Sequence, residues 1–178
     1  AARHNYAGVL FRQNKPERAL EETSILLSSD PRNPSYRVLQ SAALAHLGEH
    51  EKARKSYGDL LREYPHQPRS WMSYGHVLKT LGRTREGIDA YRKAIALMPS
   101  LGEAYWSLAN LKTFRFGATE IAAMRAQIER NDLKDDDRFH LEFALGKALE
   151  DLSDYGSAFE HYKKGNELRR KALPYDAG

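Results

Sequence analysis

The sequence contains no cysteine. That excludes disulfides, Cys-ligated zinc and a Cys nucleophile, though it does not fix the compartment. No segment approaches the ~18 consecutive apolar residues of a membrane span. No secretory leader is visible, so the expected location is cytoplasmic with no membrane partner. The chain opens on Ala1-Ala2-Arg3 rather than Met, which suggests an upstream cut. Sequence signatures of catalysis are also missing. There is no HExxH, no Gly-x-Ser-x-Gly elbow and no GxxxxGK[ST] phosphate loop. His46 and His50 are four apart, but Gly48 between them places them on different helices. No catalytic residue, cofactor or metal site is therefore expected. Asp135-Asp136-Asp137 lacks the Gly and Glu of a calcium loop, and reads instead as a helix N-cap and dipole partner.

What is present is ordinary for a globular chain, with 41% apolar and 29% charged residues and a net charge of +4. Residues 1–101 hold 16 Lys and Arg against 10 Asp and Glu, and residues 102–178 hold 12 against 14. The basic residues are scattered rather than clustered, which favours a solvated surface over a nucleic-acid face.

The strongest signal is a period. Pro31, Pro65 and Pro99 are 34 residues apart, as are Ala19, Ala53 and Gly87; Gly48 and Gly82 keep the spacing, and so do Tyr57 and Tyr91. A small residue at Ala53, Gly75 or Gly87 lets paired helices approach closely. Gly48 and Gly82 follow helical runs, where a left-handed backbone is cheapest for Gly. Each Pro closes a second helix. Tyr57 and Tyr91 fill the space between repeats. Gly87 in mid-helix should cost roughly 0.5–1 kcal/mol relative to Ala.

A 34-residue helix-turn-helix period resembles the tetratricopeptide repeat. Residues 68–101 carry the pattern best, with Trp71, Tyr74-Gly75, Leu78, Gly87, Tyr91, Ala94 and Pro99, departing from it at Tyr74 and Gly87. The resemblance implies an all-α fold, a right-handed superhelical solenoid of about five repeats in one domain. The expected boundaries are 1–33, 34–67, 68–101, a degenerate copy at 102–138 whose frame is not fixed, and 139–172. In the degenerate copy, helices are expected at Glu103 to Lys112 and at about Thr119 to Arg130. The fifth copy keeps Leu145-Gly146, Leu149, Tyr155, Ala158 and Tyr162. Its long basic last helix, with Lys163, Lys164, Arg169, Arg170 and Lys171, reads as a solenoid cap and a possible anion site.

The stretch from Leu111 to Gly178 carries a second resemblance. LKTFRFGATEIAAMRAQIER, DDDRFHLEFALGKALEDLSDYGSAFEHYKKGN and LRRKALPYDAG resemble bacterial proteins that fuse tetratricopeptide repeats to a sulfotransferase domain. This implies that the chain is the non-catalytic N-terminal region of such an enzyme, with the attached sulfotransferase as its partner. That domain would hold phosphoadenosine phosphosulfate on a Pro-Arg-Ser-Gly-Thr-like loop. Pro68-Arg69-Ser70 is followed by Trp71, opens a repeat helix, and is a decoy. The alternative is a free-standing adaptor with no enzyme attached.

In tetratricopeptide solenoids the first helices line a concave, ligand-binding face. That resemblance assigns the candidate peptide-binding residues Met72, His76, Lys79, Trp106, Asn110, Phe143 and Lys147, with Phe11, Arg12, Val38, Leu39, His46 and Ser73 on the same face. The mix of apolar, aromatic and a few cationic side chains suits a peptide or protein ligand with apolar anchors. The two-Lys, two-Asn and Arg clamp of chaperone-tail receptors is missing, and so is the Asn ladder of glycosyltransferase repeats.

Overall fold

The computed structural model describes residues 2–172. Among the described residues all regular structure is helical. The helices are α1 (Ala2–Arg12), α2 (Pro16–Ser29), α3 (Pro34–His46), α4 (His50–Glu63), α5 (Pro68–Thr80), α6 (Thr84–Leu97), α7 (Gly102–Ala109), α8 (Ala118–Ile128), α9 (Asp135–Asp151) and α10 (Tyr155–Ala172). The LPYDAG tail lies outside the described residues. Packing divides the chain into two units, Ala1–Lys93 and Ala94–Gly178, with the division falling inside the continuous helix α6.

In the first unit, punctuation sets the helices. Pro16, Pro34 and Pro68 open α2, α3 and α5, where a missing N–H costs nothing. The Asn33 side chain caps α3 by accepting from the Ser35 N–H at 3.1 Å and the Tyr36 N–H at 3.4 Å. Gly48 and Gly82 take positive φ, 78° and 74°, as expected at the helix ends. The same turn position is filled by Asn14 (φ 58°) and, in the second unit, by Ser153 (φ 63°), with the same pair of closing hydrogen bonds each time. The apolar stripe of α4 and α5 then closes a core of Ala53, Tyr57, Leu60 and Val77, against which Val38, Leu44, Tyr74 and Leu81 pack. Tyr57 and Tyr74 stand 6.4 Å apart across the α4–α5 junction, so Tyr57 fills an inter-repeat gap as expected. Tyr91 instead lies on Gly75 of its own repeat, whose Cβ, if present, would come within 2.7 Å of the ring.

The second unit explains the degenerate copy. Helix α7 begins on the 34-residue beat, at Gly102 after Pro34 and Pro68, but ends at Ala109 rather than running to Lys112. Asn110 caps it, and the chain turns Leu111, Phe114 and Phe116 inward, each under a tenth exposed. Phe116 occupies the place of Gly48 and Gly82. Phe114 and Phe116 meet edge-on at 4.9 Å. The aromatic loop thus takes over burial that the missing turns of α7 would have supplied.

Helix α9 begins one turn earlier than Phe139. The Asp triplet forms its first turn and Lys134 is the N-cap position, so the carboxylates act as dipole partners and not as the cap. Asp137 accepts the Gly102 N–H at 3.1 Å, and the two backbones touch so closely that a Cβ on Gly102 would lie 2.1 Å from the Asp137 carbonyl oxygen. The Arg138 guanidinium donates to the carbonyls of Ile128 and Arg130 and closes the C-terminus of α8. At the other end of α8, Glu120 accepts the Gly117 N–H at 2.9 Å. The basic end of α10 fits a cap, but its opening turns do not. Tyr155 and Phe159, with Leu152 at the α9 C-cap beside them in sequence, are 63–65% exposed, whereas a solenoid cap normally turns a polar face outward.

Candidate functional site

The candidate residues fall into two groups, three on α5 of the first unit and four at α7–α9 of the second. On α5 they are held by the small–large packing of the repeat. Gly75 brings Tyr91 against the helix, and the Tyr91 hydroxyl hydrogen-bonds to His76 Nδ1 at 2.9 Å. The rings meet edge-on at 5.4 Å, so His76 is fixed in orientation and half-buried. Met72 is only 6% exposed and offers little surface, because its side of α5 turns into the packing. Lys79, in the last turn, is exposed. Beside His76 a groove of about 300 Å3 is lined by Ala42, His46, His50, Tyr57, Ser73, Val77 and Thr80 among others. His46 is tethered to Asn14 at 2.7 Å, and Phe11 lies edge-on to it at 5.6 Å. Burial pushes the Tyr57 phenol up, while the Ser73 hydrogen bond opposes that. Arg12, Val38 and Leu39 do not line this groove; with Phe11 they line a separate one of about 560 Å3 between α1 and α3.

In the second unit Trp106 and Phe143 come together at 5.5 Å, both half-buried. Phe143 is wedged in place, with its ring 3.2 Å from where a Cβ on Gly165 of α10 would sit, and 6.4 Å from Tyr162. Asn110 is exposed at the α7 C-cap rather than on the helix. Lys147 is ion-paired within α9 to Asp151 at 2.5 Å, and Asp151 also meets Arg115 at 3.4 Å. Its charge is therefore engaged inside the fold.

Residues outside the sequence assignment complete this second cluster. Phe139 stands edge-on to Phe143 at 6.2 Å and lies tilted against His140 at 4.0 Å. Together with Trp106, Asp136, Asn166 and Arg169 they line a pocket of about 490 Å3. Phe139 is missed from sequence because α9 starts a turn earlier than the repeat frame. Asn166 and Arg169 are missed because they stand on a second helix, which the family pattern does not assign to ligand. Arg169 was legible only as part of a basic helix end.

Buried polar groups in this unit are mostly satisfied internally. Glu142, 3% exposed, meets His161 at 2.6 Å. Tyr162 donates to Glu150 at 2.6 Å, and its phenol is pushed up by burial first and then by that hydrogen bond. Tyr105 is pushed up to about 12 by burial and by the charge of Glu120, and its hydroxyl has no hydrogen-bond partner among the described residues. No group of three or more metal-ligating side chains occurs among the described residues. No described helix is long and apolar enough to cross a membrane.

Repeated helix pairs with small–large packing and lined grooves define a helical-repeat scaffold of the kind that binds other molecules along its surface. Tetratricopeptide-repeat models match residues 7–68 and 68–100, and the chain belongs to that family. Among curated proteins, an uncharacterized protein of Aquifex aeolicus is 27% identical over 147 residues, 80% of this chain and 18% of that protein. The small glutamine-rich tetratricopeptide repeat-containing protein 2 of Mycosarcoma maydis is 27% identical over 82 residues, 46% of this chain and 23% of that protein. The chain thus spans about a fifth of the length of these relatives. Among solved structures, MamA from Desulfovibrio magneticus RS-1 aligns with a TM-score of 0.66 at 20% identity, over 96% of this chain and 94% of that one. YrrB, described as a TPR protein with an unusual peptide-binding site, aligns at 0.62 and 18% identity, over 93% of this chain and 84% of that one. At these identities the likeness establishes the fold.

Proposed function

We propose that this chain binds a protein or peptide on the faces formed by the first helices of its repeats, at His76 and Lys79 in one unit and at Trp106, Asn110 and Phe143 in the other, with the buried Met72 and the ion-paired Lys147 supporting those faces from within. The observation that carries the reading is the half-buried Trp106–Phe143 pair, extended by Phe139. Aromatic side chains left partly open beside a pocket supply large contact area with little conformational cost, and Trp is enriched in binding hot spots. The described peptide-binding site of YrrB, a protein of the same fold, supports this choice of ligand. The test is capture of partners from lysate by the parent and by a Trp106→Ala, His76→Ala double variant, each checked by thermal melting. A folded double variant that captures partners as well as the parent would refute the assignment.

At the finer level, we read the chain as the non-catalytic part of a sulfotransferase, supported by the resemblance over residues 111–178; the adaptor reading is the alternative. No residue here is assigned to sulfate transfer. Calorimetry of the chain with phosphoadenosine phosphosulfate should show no binding. The reading of the gene beyond Gly178 decides between the two, since a Pro-Arg-Ser-Gly-like loop following a strand is expected only for the fusion.

A further inference from the structure

In the first unit charge is sorted by helix. Residues 1–93 hold 16 Lys and Arg against 10 Asp and Glu. All 10 acidic residues stand on α2, α4 and α6 or at the caps of α2 and α4, and the first helices α1, α3 and α5 carry none. No carboxylate lines the histidine groove or the α1–α3 groove, and the two share Ala42 in their walls. The α1–α3 groove sets Arg12 beside the half-buried Phe11, Val38 and Leu39. The Arg12 guanidinium folds back along α1, with Nη1 3.5 Å from where a Cβ on Gly8 would sit, so the bare backbone at Gly8 gives it room at the groove wall. Arg3 and Arg37, also on first helices, are ion-paired to Glu22 and Glu63. Arg12 has no ion pair among the described residues.

We propose that these adjoining grooves take an acidic segment of a protein partner. An aliphatic side chain enters the Phe11–Val38–Leu39 wall, and the neighbouring Asp or Glu carboxylate meets Arg12. Further acidic residues continue past Ala42 along the histidine groove. The inference rests on the peptide-binding reading above and names the partner's chemistry. Charge complementarity selects the occupant. A carboxylate meets an unpaired guanidinium and no negative group in either wall. A Lys or Arg of the partner would meet Arg12 with no acidic side chain in the walls to offset the repulsion. Beside half-buried apolar side chains the guanidinium–carboxylate pair is also stronger than in open water. Nucleic acid is the other anionic candidate, but its phosphates need several cations along the track. The two grooves offer one guanidinium and no lysine.

The experiment follows the Val38 and Leu39 methyl resonances and the Trp106 indole resonance of the whole chain by NMR during titration with acetylated, amidated hexapeptides. The probes are Gly-Gly-Asp-Leu-Gly-Gly, the same peptide with Lys for Asp, the same with Ala for Leu, and a thymidine dinucleotide. The Asp-Leu peptide is expected to move Val38 and Leu39, and replacing Asp by Lys should weaken binding roughly tenfold, the scale of one lost charge-assisted contact. In Arg12→Glu, whose side chain is exposed in the last turn of α1, the preference should invert toward the Lys-Leu peptide. Lys112→Glu makes the same change of net charge at an exposed position of the second unit and should leave the preference unchanged. Equal response to Asp-Leu and Lys-Leu, a stronger response to the dinucleotide, or the same shift of preference in both variants overturns the proposal. A peptide that moves Trp106 but neither Val38 nor Leu39 overturns the acidic site while leaving the peptide-binding reading intact. Silence of all three residues to every peptide overturns both.

Discussion

Gly75 and Gly146 stand sixteen residues before Tyr91 and Tyr162, and in each pair the ring lies where a Cβ would need to be. These are steric requirements, and they grade the glycines. A methyl group on Gly102 would strike the Asp137 backbone at 2.1 Å; on Gly75 it would strike the Tyr91 ring at 2.7 Å; on Gly87 it would press the Gly75 carbonyl oxygen at 3.3 Å. Urea unfolding should therefore rank the losses as Gly102→Ala, then Gly75→Ala, then Gly87→Ala, the first two costing about 1–3 kcal/mol or more. The gain of up to ~1 kcal/mol that helix propensity alone suggests for Gly87→Ala should be cancelled by that contact. Ala53, fully buried in the first core, should lose about 1–3 kcal/mol on Ala53→Leu. At the recurring turn position the sign reverses. Ser153 holds φ 63° without the freedom of the glycines at Gly48 and Gly82, so Ser153→Gly should raise stability by ~0.5–1 kcal/mol in the same assay.

Helix α8 depends at its C-terminal end on a side chain of the next helix. Its C-terminal carbonyls are closed by Arg138 from the start of α9. Arg138→Ala should cost roughly 1.5–3 kcal/mol, the worth of hydrogen bonds to a charged group, and hydrogen exchange should quicken selectively over 118–130. Helix α10 has an acid-sensitive start. Asp154 accepts the Ser157 N–H at 3.1 Å, and its hydrogen bonds to Ser157 hold its carboxyl below the usual carboxylate range. A depressed native value means that the stabilisation is complete above the unfolded carboxylate range, near pH 4, and is lost as pH falls through the native value. The far-UV signal of an Asp154→Ala variant should accordingly depend less on pH in that window than that of the parent.

For the whole chain, local packing sets how damage spreads. In repeat arrays each repeat contacts mainly its neighbours, so Ala53→Leu should speed exchange in α3, α4 and α5 while leaving α9 near its parental rate. A uniform change across the chain would contradict that coupling. Alkali should act through the second core. The Tyr105 phenol is held up to about 12, against an ordinary value near 10 in the unfolded chain. Stability is then unaffected by this group below pH 10 and falls as pH rises from about 10 toward 12, where the unfolded phenol ionises first. Absorbance titration of the tyrosines should show a late fraction that ionises together with unfolding.

The period alone determined much of this molecule. Helix starts at Pro34 and Pro68, positive φ at Gly48 and Gly82, and the burial of Ala53, Tyr57 and Tyr91 all follow from residue type at fixed spacing, because each answers to a neighbour within its own or the adjoining repeat. The placement of Trp106 and Phe143 on first helices was also legible, though not their contact, which the packing of α7 on α9 supplies. The break in α7, the inward turn of Phe114 and Phe116 and the early start of α9 were decided by tertiary structure. They depend on Gly102 meeting Asp137, 35 residues away, and on Arg138 reaching back to α8, contacts that no local pattern encodes. The same holds for the pocket. Phe139, Asn166 and Arg169 become neighbours of Trp106 only when α7, α9 and α10 pack, since side chains on separate helices share a surface only once packing fixes which faces meet.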